Sequence, residues 1–427
     1  MTSPSSPSVS AAATAPAMGT RPAGLLRGPL DLGKTAGGLL RFGEALSSLL
    51  TDMGKGLLTP QLLNPVVALS LTGNPIERTA EGWRVFLTGG NLLTAEELLN
   101  KGEIFTLVAA VAPLIDEPRH GPLPLPQLVA NAYALGNFFS LWAIEGLGHD
   151  YGDSFWKQGV RPHGILSPEV AKDLPSGSLP MLNAGIGLSM ARTMYEHLHW
   201  NTPAEKIRQI VAEIVRLDRD NALPGYTGAA YENLGLTTRT LRATMVPAID
   251  QAIREVAPHV RGYFWHGVGR SIYFWLSNFL PCSHWQIFRM AQREAPDGEA
   301  FLNAWAGAAW GYALVNQRQP RIMAELLIGP HGEELAQNGG FANGIASAMM
   351  MRFDTTPNAP FIEAFIRYRP GGSNRRLAEL WDRLVRIPSE TALNDYYPVI
   401  KRQGRMGDIF EYRDLAAHVR DLQGSTA

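Results

Sequence analysis

Two short segments of this 427-residue chain combine acid–base side chains with aromatic rings and glycines. In the first segment, Glu145 and His149 stand four residues apart, and Asp150 and Asp153 follow. On a helix, this spacing places Glu145 and His149 on one face, an arrangement suited to acid–base catalysis or metal binding. Three glycines within nine residues are equally typical of a loop at a pocket mouth, and a cluster of caps and turns explains the same residues without chemistry.

The second segment, residues 265–275, holds His266 and Arg270 among aromatic rings. An arginine in such surroundings either stacks on a ring or pairs with an acid. Because a buried polar group without a partner costs about 1–3 kcal/mol, we expect Arg270 to meet a carboxylate such as Glu145 or Glu232. His266 beside that pair could then act as an acid or a base. A buried network with a purely structural role is the alternative interpretation.

These segments occupy matching places in an approximate repeat, in which three pairs of motifs follow one another in the same order. The pairs are Glu145-Gly-Leu-Gly with His266-Gly-Val-Gly, Ala184-Gly-Ile-Gly with Ala306-Gly-Ala-Ala, and residues 228–233 with 339–343. This order indicates an internal duplication of roughly residues 138–236 and 260–348. For the Ala-Gly pair, close helix packing without chemistry is the simpler interpretation.

Five segments of the central region form a recognisable series: residues 142–146, 184–192, 225–232, 267–275 and 305–314. Together they resemble a bacterial family of unknown function found in enediyne biosynthesis loci, the UnbL-like type. The resemblance covers about residues 130–350, with His266 standing where that family leads us to expect an amide. It implies a role in secondary-metabolite biosynthesis, and it supplies no settled reaction.

Apolar residues with helical spacing recur along the chain, most clearly over 204–216 and again from Leu377 to Val385. No run of alternating β-branched residues between hairpin turns is found. We therefore predict an all-α protein, an imperfect duplication of Gly-rich helical hairpins forming a bundle. Asp218 to Asn221 are expected to form the solvated end of the helix over 204–216. The predicted parts are a disordered tail (1–24), an N-terminal helical extension (25–125), the duplicated core (126–353) and a C-terminal helical extension (354–427).

Composition excludes several classes of function. With 38 basic and 39 acidic side chains, the net charge of −1 argues against nucleic-acid binding by phosphate neutralisation. No apolar stretch reaches the roughly 20 residues that a transmembrane helix needs, and we expect a cytoplasmic protein. The chain has one cysteine, Cys282, so an internal disulfide is excluded. Cys282 and His284 are a possible nucleophile pair, and a buried, unreactive cysteine is the simpler interpretation. The Glu-x-x-His at Glu196 lacks the companions of a di-iron site, and the one from Glu117 to His120 is interrupted by Pro118. We therefore predict no metal, and the sequence leaves any cofactor undetermined.

Two functions remain after these exclusions. The first is a biosynthetic enzyme that binds a hydrophobic polyene, polyketide or isoprenoid, and catalyses its acid–base cyclisation or rearrangement. The second is a non-catalytic accessory protein that binds such a chain or a partner biosynthetic enzyme. For the first, we predict one pocket whose catalytic residues are Glu145, Glu232, His266 and Arg270. The predicted substrate-binding residues are Trp142, Trp265 and Tyr273 at its rim and His149 and Asp150 at its edge.

Overall fold

The computed structural model describes residues 91–109, 111, 115, 123–275, 284–370, 372 and 374–424. Within these residues, every regular element is an α-, 3-10 or π-helix and no strand occurs, which confirms the predicted all-α class. The predicted disordered tail, most of the N-terminal extension and Cys282 lie outside the described residues.

The helices are numbered here in chain order. They are α1 (Asn91–Ala109), α2 (Leu125–Ala134), α3 (Ser140–Lys157), α4 (Pro168–Ala171), α5 (Leu179–Met194), α6 (Ala204–Asn221), α7 (Thr227–Leu241), α8 (Val246–Val256), α9 (Arg261–Tyr273), α10 (Trp285–Glu294), α11 (Gly298–Asn316), α12 (Pro320–Ile328), α13 (Gly332–Leu335), α14 (Gly340–Thr355), α15 (Pro360–Arg367), α16 (375–402) and α17 (Leu415–Gly424). Helix α16 is continuous through two π-helical segments, Asp382–Arg386 and Ala392–Tyr396.

Helix α6 shows how the apolar spacing becomes structure. Pro203 precedes its first turn, where a missing backbone N–H costs nothing, and Ile207, Ile210 and Ile214 bury one face of the helix. The helix continues past the predicted end at residue 216 as far as Asn221. Asp218 is fully buried there, so the expectation of a solvated helix end was wrong.

Six helices form the centre of the fold: α3, α5, α7, α9, α11 and α14. Each packs closely on the next one in this series, and α14 also contacts α3. Helix α1 lies against α3 and also contacts α11 and α12. Side chains from helices that are distant in sequence therefore meet inside one core.

Pairs of glycines two residues apart permit this close packing. A Cβ on Gly267 would overlap the backbone of α7, and a Cβ on Gly269 would overlap the backbone of α11. Residues i and i+2 lie about 200° apart around a helix, so each pair opens two opposite faces. The pair Gly185 and Gly187 does the same for α5, towards α3 and α7. The packing interpretation of the Ala-Gly motifs is thus confirmed.

The predicted duplication itself is not confirmed. Gly146 and Gly148 face the helices on either side of α3, and the pairs in α5 and α9 follow the same rule. These pairs occur in α3, α5 and α9, and two of those helices lie inside the first predicted half. They do not require a repeat of two halves.

The C-terminal part of the chain contributes to the same core. A 3-10 helix, Met406–Phe410, contacts α7, α9 and α14, and Gly407 donates a backbone hydrogen bond to Gly225 at 2.8 Å. In the part of the chain that the structure describes, no helix combines the length and apolar character needed to cross a membrane.

Candidate functional site

Arg270 stands at the centre of a buried ion cluster. Its Nη1 donates to Oε2 of Glu232 at 3.0 Å, and its Nη2 donates to both carboxylate oxygens of Glu145. His266, one turn earlier on α9, has its Nδ1 3.3 Å from Oε1 of Glu232. None of the four side chains is more than 3% exposed. The structure thus brings together all four residues that the sequence singled out as catalytic.

Two of the helix-packing glycines lie directly against the backbone of the charged residues themselves. Gly185 of α5 packs on the backbone carbonyl of Glu145, and Gly267 of α9 packs on that of Glu232. Close backbone approach at these two points shortens the distance that the side chains must span. The ion cluster therefore depends directly on the small residues of neighbouring helices.

The cluster holds two carboxyl groups, one guanidinium and one imidazole. It is electrically neutral only when one proton beyond that of Arg270 resides on His266 or on a carboxyl group, and an uncompensated buried charge is costly. Burial, reinforced by the nearby Glu232 carboxylate, raises the pKa of Glu145 despite its contact with Arg270. Burial also acts to raise the pKa of Glu232, but Arg270 and His266 together outweigh it and lower that pKa. The pKa values of the two carboxyl groups are thus shifted in opposite directions, a pattern typical of acid–base pairs.

Trp310 of α11 forms an aromatic wall for the cluster. The Arg270 guanidinium lies 4.9 Å from the Trp310 ring centroid, and the His266 ring meets the same indole edge-on at 6.1 Å. Trp142 in turn lies edge-on to Trp310 at 6.4 Å and to Phe274 at 6.0 Å. Trp310 is not among the site residues predicted from the sequence, although it belongs to the Gly- and Ala-rich segment 305–314, where a large ring among small residues is a usable signal.

A cavity of about 170 Å³ adjoins the cluster, bounded by α1, α3, α5, α7 and α9. Its lining is mainly apolar and includes Ile104, Phe105 and Phe274, with Arg270, Trp142 and His149 among the polar residues. Among its lining residues, Ala109 is exposed and Arg192 is half-buried.

Of the four predicted catalytic residues, only Arg270 belongs to the cavity lining. Arg270 joins Glu145 to Glu232, His266 contacts Glu232, and none of these three partners lines the cavity. The prediction that all four line one pocket is therefore corrected. They form one cluster, and a single member reaches the cavity.

Four of the residues that line the cavity carry a buried polar atom without a hydrogen-bond partner among the described residues. These atoms are Nε1 of Trp142, Nδ1 of His149, Oγ1 of Thr237 and Nε of Arg270. Indole and guanidinium nitrogens only donate hydrogen bonds. Thr237 is not among the site residues predicted from the sequence, because a threonine inside a helix does not indicate a binding site until its spatial neighbours are known.

The other predicted pocket residues lie elsewhere. The Trp265 indole donates to Oδ1 of Asp250 at 2.8 Å, because Trp265 points about 100° away from His266 around α9. Asp150 lines a different cavity, with Leu147 and Tyr151. These positions correct the predicted rim and edge, whereas Trp142 and His149 do line the cavity beside Arg270.

Tyr273 belongs to a second buried polar cluster centred on Glu97 of α1. The Tyr273 hydroxyl donates to Oε1 of Glu97 at 2.7 Å, and Nε2 of His284 lies 2.5 Å from Oε2 of the same carboxylate. The Lys101 ammonium lies 3.4 Å from Oε1. Burial acts to raise the pKa of Glu97, but His284 and Lys101 outweigh it and hold that pKa well below its usual range. This cluster ties α1 to the central helices.

His149 has a mixed environment at the cavity. Its Nε2 lies 3.5 Å from Nη1 of Arg192 and 3.6 Å from Oδ2 of Asp153, both too long for strong hydrogen bonds. Across the described ranges, no group of three or more histidine, cysteine, aspartate or glutamate side chains could hold a metal ion.

Comparison of this chain with protein-family models, with curated proteins and with solved structures gives no match. The resemblance to the UnbL-like family therefore stays a prediction.

Proposed function

We propose that this protein binds a small, mainly apolar molecule that carries a hydrogen-bond acceptor, in the cavity beside Arg270. One observation carries the proposal: each of four residues lining an apolar cavity carries a buried polar atom that has no partner among the described residues. Each such atom costs about 1–3 kcal/mol when it stays unpaired. A ligand oxygen that accepts from Trp142 or Arg270 offsets that cost.

The size of the cavity limits the ligand. A volume of about 170 Å³ is close to that of an engineered cavity of roughly 150 Å³ that holds benzene. The ligand is therefore a ring or a short branched chain with a carbonyl, hydroxyl or carboxylate group. A polyene of the predicted kind would place only one end in this space.

Acid–base conversion of the bound molecule is the second candidate function. It is favoured by the paired carboxyl groups, whose pKa values are displaced in opposite directions. In this scheme Arg270 holds the ligand oxygen, Glu145, whose pKa is raised, is the acid that exchanges a proton with the ligand, and Glu232 orients the guanidinium. Because Glu145 does not line the cavity, the scheme requires the ligand oxygen to approach it beside Arg270. Incubation of candidate cyclisation substrates, followed by mass spectrometry, tests it: Glu145→Gln should slow conversion while ligand binding is retained.

The binding proposal is tested with two probes of one shape. Acetophenone carries a carbonyl where α-methylstyrene carries a methylene, so only the first offers a strong acceptor. We expect isothermal titration calorimetry to show roughly tenfold tighter binding of acetophenone, which corresponds to about 1.4 kcal/mol. Equal affinities, or no binding of either probe, would contradict the proposal.

Matched variants locate the donor. Trp142→Phe removes the unpartnered indole N–H of a residue that lines the cavity, and Trp381→Phe removes that of a residue that does not line it. We expect the preference for acetophenone to fall in Trp142→Phe and to stay unchanged in Trp381→Phe. An equal loss in both variants would place the binding site elsewhere.

A further inference from the structure

Among the described residues that line the cavity beside Arg270, His149 is the only one whose side chain accepts a proton near neutral pH. The other lining side chains are aliphatic or phenylalanine, or belong to tryptophan, threonine and arginine. Indole and guanidinium groups only donate hydrogen bonds, and a hydroxyl is a very weak base, whereas a neutral imidazole takes up a proton readily. A proton that leaves a bound molecule directly for this part of the lining therefore goes to His149.

His149 lies between two side chains of opposite charge. Its Nε2 is 3.6 Å from Oδ2 of Asp153 and 3.5 Å from Nη1 of Arg192. Ser189 of α5 donates from its Oγ to the other oxygen of Asp153 at 2.6 Å, which fixes the carboxylate between α3 and α5. The carboxylate attracts the imidazolium that forms when His149 takes a proton, and the guanidinium favours the return of that proton. This environment suits a histidine that takes up a proton and gives it back.

The spacing along α3 places His149 one helical turn from the ion cluster. Trp142, Glu145 and His149 follow one another at intervals of three and four residues, so they share one face of the helix. Neighbours at this spacing have Cβ atoms about 5–6 Å apart. Arg270 donates to both carboxylate oxygens of Glu145. An oxygen bound beside Arg270 therefore lies about one turn of α3 from His149, a distance that the adjoining atoms of a small ligand span.

We propose that the bound molecule is an enolisable ketone or aldehyde, and that His149 removes a proton from the carbon next to its carbonyl group. This inference rests on the proposed function, in which the ligand oxygen lies beside Arg270. The C–H electron pair forms the carbon–carbon double bond of an enolate, and the carbonyl π pair moves onto the oxygen, where hydrogen-bond donors stabilise the charge. Glu145 exchanges a proton with that oxygen, whereas His149 serves the carbon. Return of the proton from His149 to the carbon completes the cycle without oxidation or reduction.

The test follows the replacement of hydrogen by deuterium in acetophenone. In D₂O the imidazolium exchanges its proton with the solvent, so each return step places deuterium on the methyl carbon. We expect the ¹H signal of the methyl group to decay when the full-length protein is present, while the signals of the aromatic ring stay constant. α-Methylstyrene has no carbonyl group to stabilise a carbanion, and its methyl signal should not decay.

His149→Gln should slow the exchange by about a hundredfold or more, the usual contribution of a general base, while calorimetry still shows binding of acetophenone. His197→Gln is the matched control, because His197 is exposed and does not line the cavity. We expect this variant to keep the wild-type exchange rate. Exchange in His149→Gln at the wild-type rate would overturn the proposal.

Measurements on the wild-type protein keep the proposal testable even if His149→Gln does not fold. If calorimetry shows preferential binding of acetophenone but its methyl signal does not decay, the proton-transfer inference is overturned and the binding proposal stands. If acetophenone does not bind, both are overturned. His149→Asn supplies a second polar replacement, which should show the same loss of exchange.

Discussion

Arg270 joins carboxylates from two helices that are 125 and 38 residues away in the chain. Removing one partner of such a buried network typically costs about 3–5 kcal/mol, because the remaining charges stay buried. The same residue also lines the cavity, and its Nε has no hydrogen-bond partner among the described residues. A structural role and a ligand-binding role therefore coincide at this side chain.

Asp218 supports a prediction at the same scale. Its carboxyl group is fully buried, neither oxygen has a partner among the described residues, and burial raises its pKa well above the usual range. An acid whose pKa is raised in the folded state favours folding when protonated. Its contribution is present below the unfolded-state pKa of about 3.9 and is lost as the pH rises towards the folded-state value.

Asp218→Asn should therefore stabilise the protein at pH 7, because the amide has no charged form that burial penalises, with a change on the order of 1 kcal/mol as is usual for single substitutions. The gain should disappear near pH 3.5, where both states of the wild type are protonated. Urea unfolding of both proteins at the two pH values measures this difference. A variant that is less stable than the wild type at pH 7 would show that Asp218 is ionised and paired.

At the scale of the helices, glycines occur inside helices even though glycine has a poor helix propensity. Alanine is favoured over glycine inside a helix by about 1 kcal/mol. In α11, however, a Cβ on Gly307 would overlap the backbone at His266. Close approach of α9 and α11, which the ion cluster and Trp310 both require, outweighs local propensity at this position.

Gly307→Ala should therefore destabilise the protein, by about 1–3 kcal/mol or more as in other overpacked cores. Gly298→Ala is the matched control, since it lies in the same helix and no atom lies within 4 Å of the position that the new methyl group would take. We expect the control to be neutral or slightly stabilising in urea denaturation. Equal stability of the two variants would mean that α9 and α11 can separate without loss.

At the scale of the whole molecule, the C-terminal segment packs into the same core as the central helices. Phe410 is fully buried, and its ring lies 5.8 Å from that of Trp310, which walls the ion cluster. The C-terminal segment and the central helices therefore share one set of contacts. Such sharing predicts a single cooperative unfolding transition.

Phe410→Ala should lower the free energy of unfolding by about 3–5 kcal/mol, the usual cost of deleting a buried phenylalanine ring. Ile387→Ala, at a side chain that is 49% exposed, should change it by less than about 0.5 kcal/mol. Calorimetry should show one transition, moved to lower temperature only in Phe410→Ala. A separate early transition, followed by wild-type melting, would show that the C-terminal segment unfolds independently.

The sequence by itself determined the helical class and the membership of the ion cluster. Apolar periodicity is a local property, and it survives in helices such as α6. The pairing of Arg270 with Glu145 and Glu232 followed from the cost of burying an unpaired charge, which is the same in any fold.

Only the tertiary structure decided which side chains meet the cavity. Trp265 and Tyr273 share a helix with Arg270, yet the rotation of α9 against its neighbours sends them to Asp250 and Glu97. The wall contributed by α1 came from a segment that the sequence assigned to an extension. Periodicity defines the faces of a helix, but which face borders empty space depends on how helices distant in sequence pack together.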